Sequence, residues 1–221
     1  MKKVPEKNTQ EKILDAAKKV FHRKGFEGAR MQEIADEAAI NKALLHYYYR
    51  SKDNLFQSVF EDAFSKMASA IIEVISREVS FDEKIKAFLD VYLTFLQENS
   101  YIPWFIINCM YEKPEQLGEM FRKQHINPKQ LVKGITDQAR QEYNLELNPM
   151  HFFVNLLSLC VFPVVAKPLL KEVFGFSPAE MDRFEEERKT EVPLFILNAI
   201  KGFEPGRPVK KTKKTRSTNE L

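Results

Sequence analysis

Residues 31–52 read MQEIADEAAINKALLHYYYRSK, and the reading of this stretch decides the fold. Ile34, Ala35 and Ala38 recur at helical spacing, which predicts a short helix over residues 31–38 with one apolar stripe. Its small alanines let another helix approach closely. Ala39-Ile40 turns the chain. Asn41 is placed to cap a further helix over residues 42–49 by accepting from its first free amides. Leu45 and Tyr49 stand four apart and, with Ile40, predict the inward face. Lys42, Ala43, Leu44, His46 and Tyr47 are left facing outward, and Ser51 caps the next helix, which opens with Lys52 and Asp53.

The run Tyr47-Tyr48-Tyr49 spans about 200° of a helical wheel, so the three rings cannot all bury against one support. Tyr49 is assigned to the core; Tyr47 and Tyr48 are assigned to an outer surface. Two short helices joined by a tight turn, the second backed by a rigid apolar face, fit the major groove of DNA. Lys42 then reaches phosphates or guanine acceptors, Leu44 meets a thymine methyl, and His46 and Tyr47 reach base edges or backbone. Tyr48 and Lys52 are expected along a phosphate strand, because Lys52 adds charge to the free amides of a helix N-terminus.

On the N-terminal side, residues 1–8 form a polar arm and Thr9 is expected to cap a first helix. Ile13, Ala16, Val20 and Phe21 give that helix one apolar face up to Lys24, where Gly25 is the expected left-handed stop. On the C-terminal side a long helix is expected from residue 52 to about residue 79. Ser80 and Glu83 form a capping box for a helix over residues 81–98 that buries Ile85, Phe88, Leu89, Tyr92 and Leu96. Residues 101–111 are apolar nearly all round, which predicts a buried helix. Asn127-Pro128 and Asn148-Pro149 each pair a cap with proline at the first helical position. Residues 150–174 form a near-continuous apolar segment that Pro163 and Pro168 must kink. A second capping box, Ser177 to Glu180, opens a last helix reaching about residue 203. There are 7 Gly against 18 Phe and few alternating strand patterns, so the expected fold is all-α. The expected organisation is a helix-turn-helix head at 1–54, a larger helical body at 55–203 and a disordered basic tail at 204–221.

Charge follows the same division. Residues 1–54 carry 12 Lys and Arg against 8 Asp and Glu, while residues 55–203 carry 16 against 21. A basic head on an acidic body suits contact with a polyanion. Cys109 and Cys160 sit inside apolar runs and predict buried thiols rather than a disulfide or metal site. His125 and His151 have no third ligand at metal-binding spacing. The start of the chain is polar, and the longest apolar run, residues 152–166, is interrupted and short for a membrane span. A cytoplasmic protein without membrane association is expected. No nucleophile–base pair, phosphate loop or cofactor motif points to an enzyme.

Residues 11–56 resemble the DNA-binding domain of the TetR family of transcriptional regulators. The resemblance rests on Gly25-Phe26, Ile34-Ala35, Leu45, Tyr48-Tyr49 and Ser51-Lys52-Asp53, and it covers about a fifth of the chain. The chain departs from the family at three places. Ala29-Arg30 stands where a Thr or Ser opens the second helix, Ala39 replaces the turn glycine, and Ala43 replaces a frequent glycine of the recognition helix. Arg30 could contact a phosphate instead. With Arg30, the expected DNA-binding residues are Asn41, Lys42, Ala43, Leu44, His46, Tyr47, Tyr48 and Lys52.

For the body, the resemblance implies a homodimer through the last two long helices, residues 149–174 and 178–203, so that two heads meet a near-palindromic operator. The apolar residues Val192, Leu194, Phe195, Leu197, Ala199 and Ile200 agree with a covered last helix. The resemblance also implies a ligand cavity, for which Trp104, Phe105, Asn108, Met110, Phe121, Phe152, Asn155, Leu156 and Phe162 are candidates. An aromatic lining with a few amides suits a hydrophobic small molecule, although aromatics at helical spacing are more often core. The expected function is a homodimeric repressor released by such a molecule. The alternative is a regulator of the same fold with a filled core, controlled by a protein partner.

Overall fold

The computed structural model describes residues 6–112 and 114–202, which form α-helices and, among the described residues, no strand. In chain order these are α1 (Glu6–Gly28), α2 (Met31–Glu37), α3 (Lys42–Tyr48), α4 (Lys52–Ser76), α5 (Phe81–Glu98) and α6 (Ile102–Glu112). They continue as α7 (Pro114–Lys123), α8 (Pro128–Tyr143), α9 (Pro149–Val165), α10 (Lys167–Phe174) and α11 (Pro178–Lys201). The tail expected over 204–221 lies outside the described residues.

The caps read from the sequence set most helix starts. Asn41, Ser51, Asn127 and Asn148 each accept from free amides at the starts of α3, α4, α8 and α9. Ser80–Glu83 and Ser177–Glu180 are complete capping boxes. Thr9 is different: it lies inside α1, which already runs from Glu6 because the preceding Glu and Lys are good helix formers. The break in α1 falls at Gly25, with φ 67° and ψ 179°. α4 stops at Ser76, short of residue 79, because the following chain turns extended at Arg77 and the Val79 carbonyl accepts from Gln138 Nε2 at 2.8 Å.

Two apolar clusters hold the molecule. The first joins Ile13, Val20 and Phe21 of α1 to Ile34 of α2, Leu45 of α3 and Leu55, Phe56 and Val59 of α4. It continues without a break to Tyr101, Ile102 and Met120. The second joins Phe81, Ile85 and Leu89 of α5 to Ile135 and Ala139 of α8, Leu156 and Cys160 of α9 and Val192, Leu197 and Ile200 of α11. Phe95 packs against both. α4 runs from the first cluster at Leu55 to the second at Val74.

α6 is not buried all round as expected. Ile102 and Cys109 face inward, while Trp104, Met110 and Tyr111 are exposed, since only one side of the helix meets its neighbours. Pro163 sits inside α9 without breaking it; the break falls at Ala166, and Pro168 lies in the first turn of α10, where its missing amide hydrogen is not needed. α9 and α10 meet at 65°. No single described helix is long and apolar enough to cross a membrane. Met150, Val154, Phe162, Leu169, Val173, Phe174, Leu194 and Phe195 leave a large exposed apolar face on α9, α10 and α11.

Candidate functional site

α3 presents a divided surface. Leu45 is fully buried and pins the helix to α1 and α4. Lys42, Ala43, Leu44, His46 and Tyr47 are exposed, Tyr47 by 75%. Asn41 Oδ1 accepts from the Leu44 amide at 2.7 Å, so this side chain fixes the start of the helix. Tyr48 and Tyr49 are half-buried against the first cluster, and the Tyr48 ring meets Tyr47 edge-on at 5.4 Å. Tyr49 ends the helix with extended backbone, its amide donating to the Leu45 carbonyl at 2.8 Å.

The turn that aims α3 is a Schellman motif. The Ile40 amide donates to the Ala35 carbonyl at 3.0 Å and the Ala39 amide to the Asp36 carbonyl at 3.1 Å. Ala39 sits at the left-handed position with φ 54°, where glycine is the usual residue. The apolar Ile40 packs back on the first cluster. At the start of α2, Arg30 is exposed and its side chain makes no cap hydrogen bond.

Charge around α3 is set by ion pairs behind it. Lys24 pairs with Glu33 at 2.6 Å, and Arg23 with Glu37 at 2.9 Å. The Lys24 hydrogen bond holds the Glu33 carboxyl below its ordinary range, and the Arg23 hydrogen bond does the same for Glu37. Glu33 and Glu37 of α2 are thus offset by α1, while Lys42 and Arg50 flank α3 on the exposed side. Arg50 is an exposed basic residue directly after the tyrosine run.

Lys52, expected along a phosphate strand, is held within the protomer. Its ammonium donates to the Phe26 carbonyl at 2.8 Å and the Glu27 carbonyl at 3.4 Å, and lies 4.4 Å from the centre of the Phe26 ring. The break at Gly25 aims these carbonyls away from any helical partner, and Lys52 takes them up. It therefore straps the start of α4 to the end of α1. A second tie joins the same helices, from Lys18 Nζ to Asp62 Oδ2 at 2.6 Å.

The body holds a cavity of about 120 Å³ between α4, α5, α7, α8 and α9. Every lining residue is apolar. Of the nine expected pocket residues, Phe121, Phe152 and Leu156 line it. Phe105 instead packs on Phe56 and Phe60 in the first cluster, with ring centres 4.6 and 5.2 Å apart. Trp104, Met110 and Phe162 are exposed, and Asn155 lines an outer groove between α9 and α11. The Asn108 side chain lies outside the described residues. The expectation placed too much on α6, whose exposed side faces away from the cavity. The largest contribution comes from α4, through Phe64, Met67, Ala68, Ile71, Ile72 and Ile75. These residues are too many for one stripe, and that width was the available signal. Among the described residues no three His, Cys, Asp or Glu gather as a metal site.

A short helix with one buried anchor, an exposed polar and aromatic face and a fixed turn before it defines a helix-turn-helix DNA-binding protein. Residues 13–59 match the family model described as bacterial regulatory proteins, tetR family. The chain is 25% identical over 177 residues to the probable HTH-type transcriptional regulator YttP of Bacillus subtilis, covering 78% of this chain and 85% of that one. It is 22% identical over 193 residues to IcaR of Staphylococcus epidermidis, a negative transcriptional regulator of the biofilm operon icaADBC, covering 85% and 98%. The crystal structure of a TetR transcription regulator from Haloarcula marismortui superposes with a TM-score of 0.63 at 18% identity, covering 89% of this chain and 98% of that one. The match to the tetR family of bacterial regulatory proteins is thus carried by the head, residues 13–59.

Proposed function

We propose that this protein is a homodimeric, cytoplasmic repressor, released from a near-palindromic operator by a hydrophobic small molecule. The observation that carries the ligand half is the apolar cavity walled by α4, the helix whose first turn is strapped to the head by Lys52. A molecule entering the cavity pushes on α4, and the two ties to α1 pass the movement to α3. The dimer half rests on the exposed apolar face of α9 and α11, where Val154, Leu194 and Phe195 have no cover within the protomer. That IcaR is a negative regulator supports repression over activation. At the DNA, Lys42, Arg30 and Tyr48 take phosphates and Leu44, His46 and Tyr47 face the bases, while Asn41 and Ala43 shape the start of α3.

The test is selection of a bound sequence from random DNA, followed by titration against salt. Lys42→Ala lowers the slope of log affinity against log salt by about 0.9, one phosphate's worth. Tyr47→Ala alters the selected sequence. Selection of no sequence by the intact chain would refute the operator reading. A second reading, control by a protein partner, is favoured by the exposed Trp104, Met110 and Tyr111 on α6; it gains if substitutions there change repression in cells without changing DNA binding in vitro.

A further inference from the structure

The cavity does not stand alone. A second, open basin of about 540 Å³ lies beside it between α8 and the start of α9, and the two share Pro128, Val132 and Phe153 as a common wall. Their chemistries are opposite. The cavity offers no polar side chain, so a charged or hydrogen-bonding group inside it would lose its hydration without compensation. The basin is rimmed by Lys129, Lys133 and Arg140 against Asp137 and Glu146. Lys133 is held by Asp137 at 3.0 Å and Arg140 by Glu146 at 2.8 Å. Exposed Lys129 takes part in neither pair and leaves the rim with one positive charge in excess. The basin is also bounded by Asn148, Pro149 and Met150, at the positive end of the α9 dipole.

We propose that the effector is an anionic amphiphile, an organic carboxylate whose hydrocarbon end fills the cavity while its carboxylate lies in the basin against Lys129. This rests on the ligand-controlled reading above and names the class of ligand. The size follows from the volume. A dry cavity of about 150 Å³ accepts benzene, so this one, at about 120 Å³, takes a hydrocarbon segment of about five carbons. Phe153, half-buried and common to both spaces, stands where the chain crosses from one to the other. A neutral apolar molecule would fill the cavity and leave the basin unused. A cationic one would meet Lys129.

The experiment is calorimetric titration of the intact protein with octanoate, octan-1-ol and octylammonium, three probes with one tail and three heads. Octanoate is expected to bind at least about tenfold tighter than octylammonium, with octan-1-ol between them. In Lys129→Glu, a surface substitution that leaves the fold alone, the preference for octanoate is expected to shrink to less than about threefold. Equal binding of all three overturns the assignment of the head group and leaves the apolar cavity reading intact. Octanoate binding that Lys129→Glu does not change overturns the role of the basin. Binding of none of the three overturns this inference, while the ligand-controlled reading is refuted only by an operator affinity that no ligand alters.

Discussion

Ala39 gives a direct measure of how strictly the turn before α3 is held. Its φ of 54° places an L-residue in the left-handed region, at the one position of the Schellman motif that glycine usually fills. That conformation costs an L-residue about 1–2 kcal/mol. Replacing it by glycine removes the cost and adds back chain entropy in the unfolded state, about 0.4–1 kcal/mol. The net expectation for Ala39→Gly is stabilisation by about 0.5–1 kcal/mol. For a chain of this size each kcal/mol moves the melting temperature by about 2–4 °C, so the rise is about 1–4 °C. Thermal melts at one fixed protein concentration read it, because a dimer's melting point depends on concentration. A urea titration with an unchanged slope confirms that stability moved and not the unfolded state. Ala39→Val is the opposite control, since a branched residue is a true outlier at positive φ. Both hydrogen bonds of the turn are kept in Ala39→Gly, so the selected DNA sequence stays the same. A fall in melting temperature with glycine, or no change with valine, would refute the left-handed turn.

Three further outcomes follow from the same packing. Lys52→Met keeps the aliphatic stem but frees the Phe26 and Glu27 carbonyls; it is expected to lower stability by about 1 kcal/mol in urea titration and to leave the salt slope of DNA binding unchanged. Asp82 accepts from Tyr143 and Lys201, and although burial opposes it these bonds hold its folded carboxyl below the ordinary value. Its contribution is therefore present above about pH 4, the unfolded value, and is lost as pH falls through the lower folded value; Asp82→Asn is expected to flatten the urea midpoint between pH 5 and 2. Ala68→Leu fills the cavity from α4, raising the melting temperature by a few degrees and abolishing ligand uptake in calorimetry.

The head was legible because its constraints are local. A cap, a turn and two apolar residues four apart fix α3, and Leu45, Asn41 and Tyr47 fall where the periodicity puts them. Lys52 was not legible, because its partners are carbonyls 25 and 26 residues away, freed by a break whose exit direction no residue type encodes. The body shows the same limit on a larger scale. Capping boxes at Ser80 and Ser177 mark its helices from sequence, yet which aromatic lines the cavity depends on how those helices lie together. Trp104 and Phe105 are neighbours in α6, and one faces out while the other packs on Phe56 and Phe60. Composition treats them alike; only the orientation of α6 separates them.

That orientation also decides what α4 can transmit. Leu55, Phe56 and Val59 share one apolar cluster with Phe21, Ile34 and Leu45, so the first turns of α4 cannot shift without carrying α1, α2 and α3 along. The ties from Lys18 to Asp62 and from Lys52 to Phe26 close the same unit with charge-assisted bonds. Further along α4, Phe64, Met67, Ala68, Ile71, Ile72 and Ile75 line the cavity, so in the proposed mechanism whatever enters it presses on this part of the helix. A helix of 25 residues is about 37 Å long, so a tilt of about 5° forced at the cavity moves the far end by about 3 Å. Two half-sites on one face of DNA are held about 34 Å apart, and a dimer whose heads each move by that amount no longer fits both. In the proposed mechanism the head therefore needs no internal change to release DNA: α3 keeps its shape and loses its position.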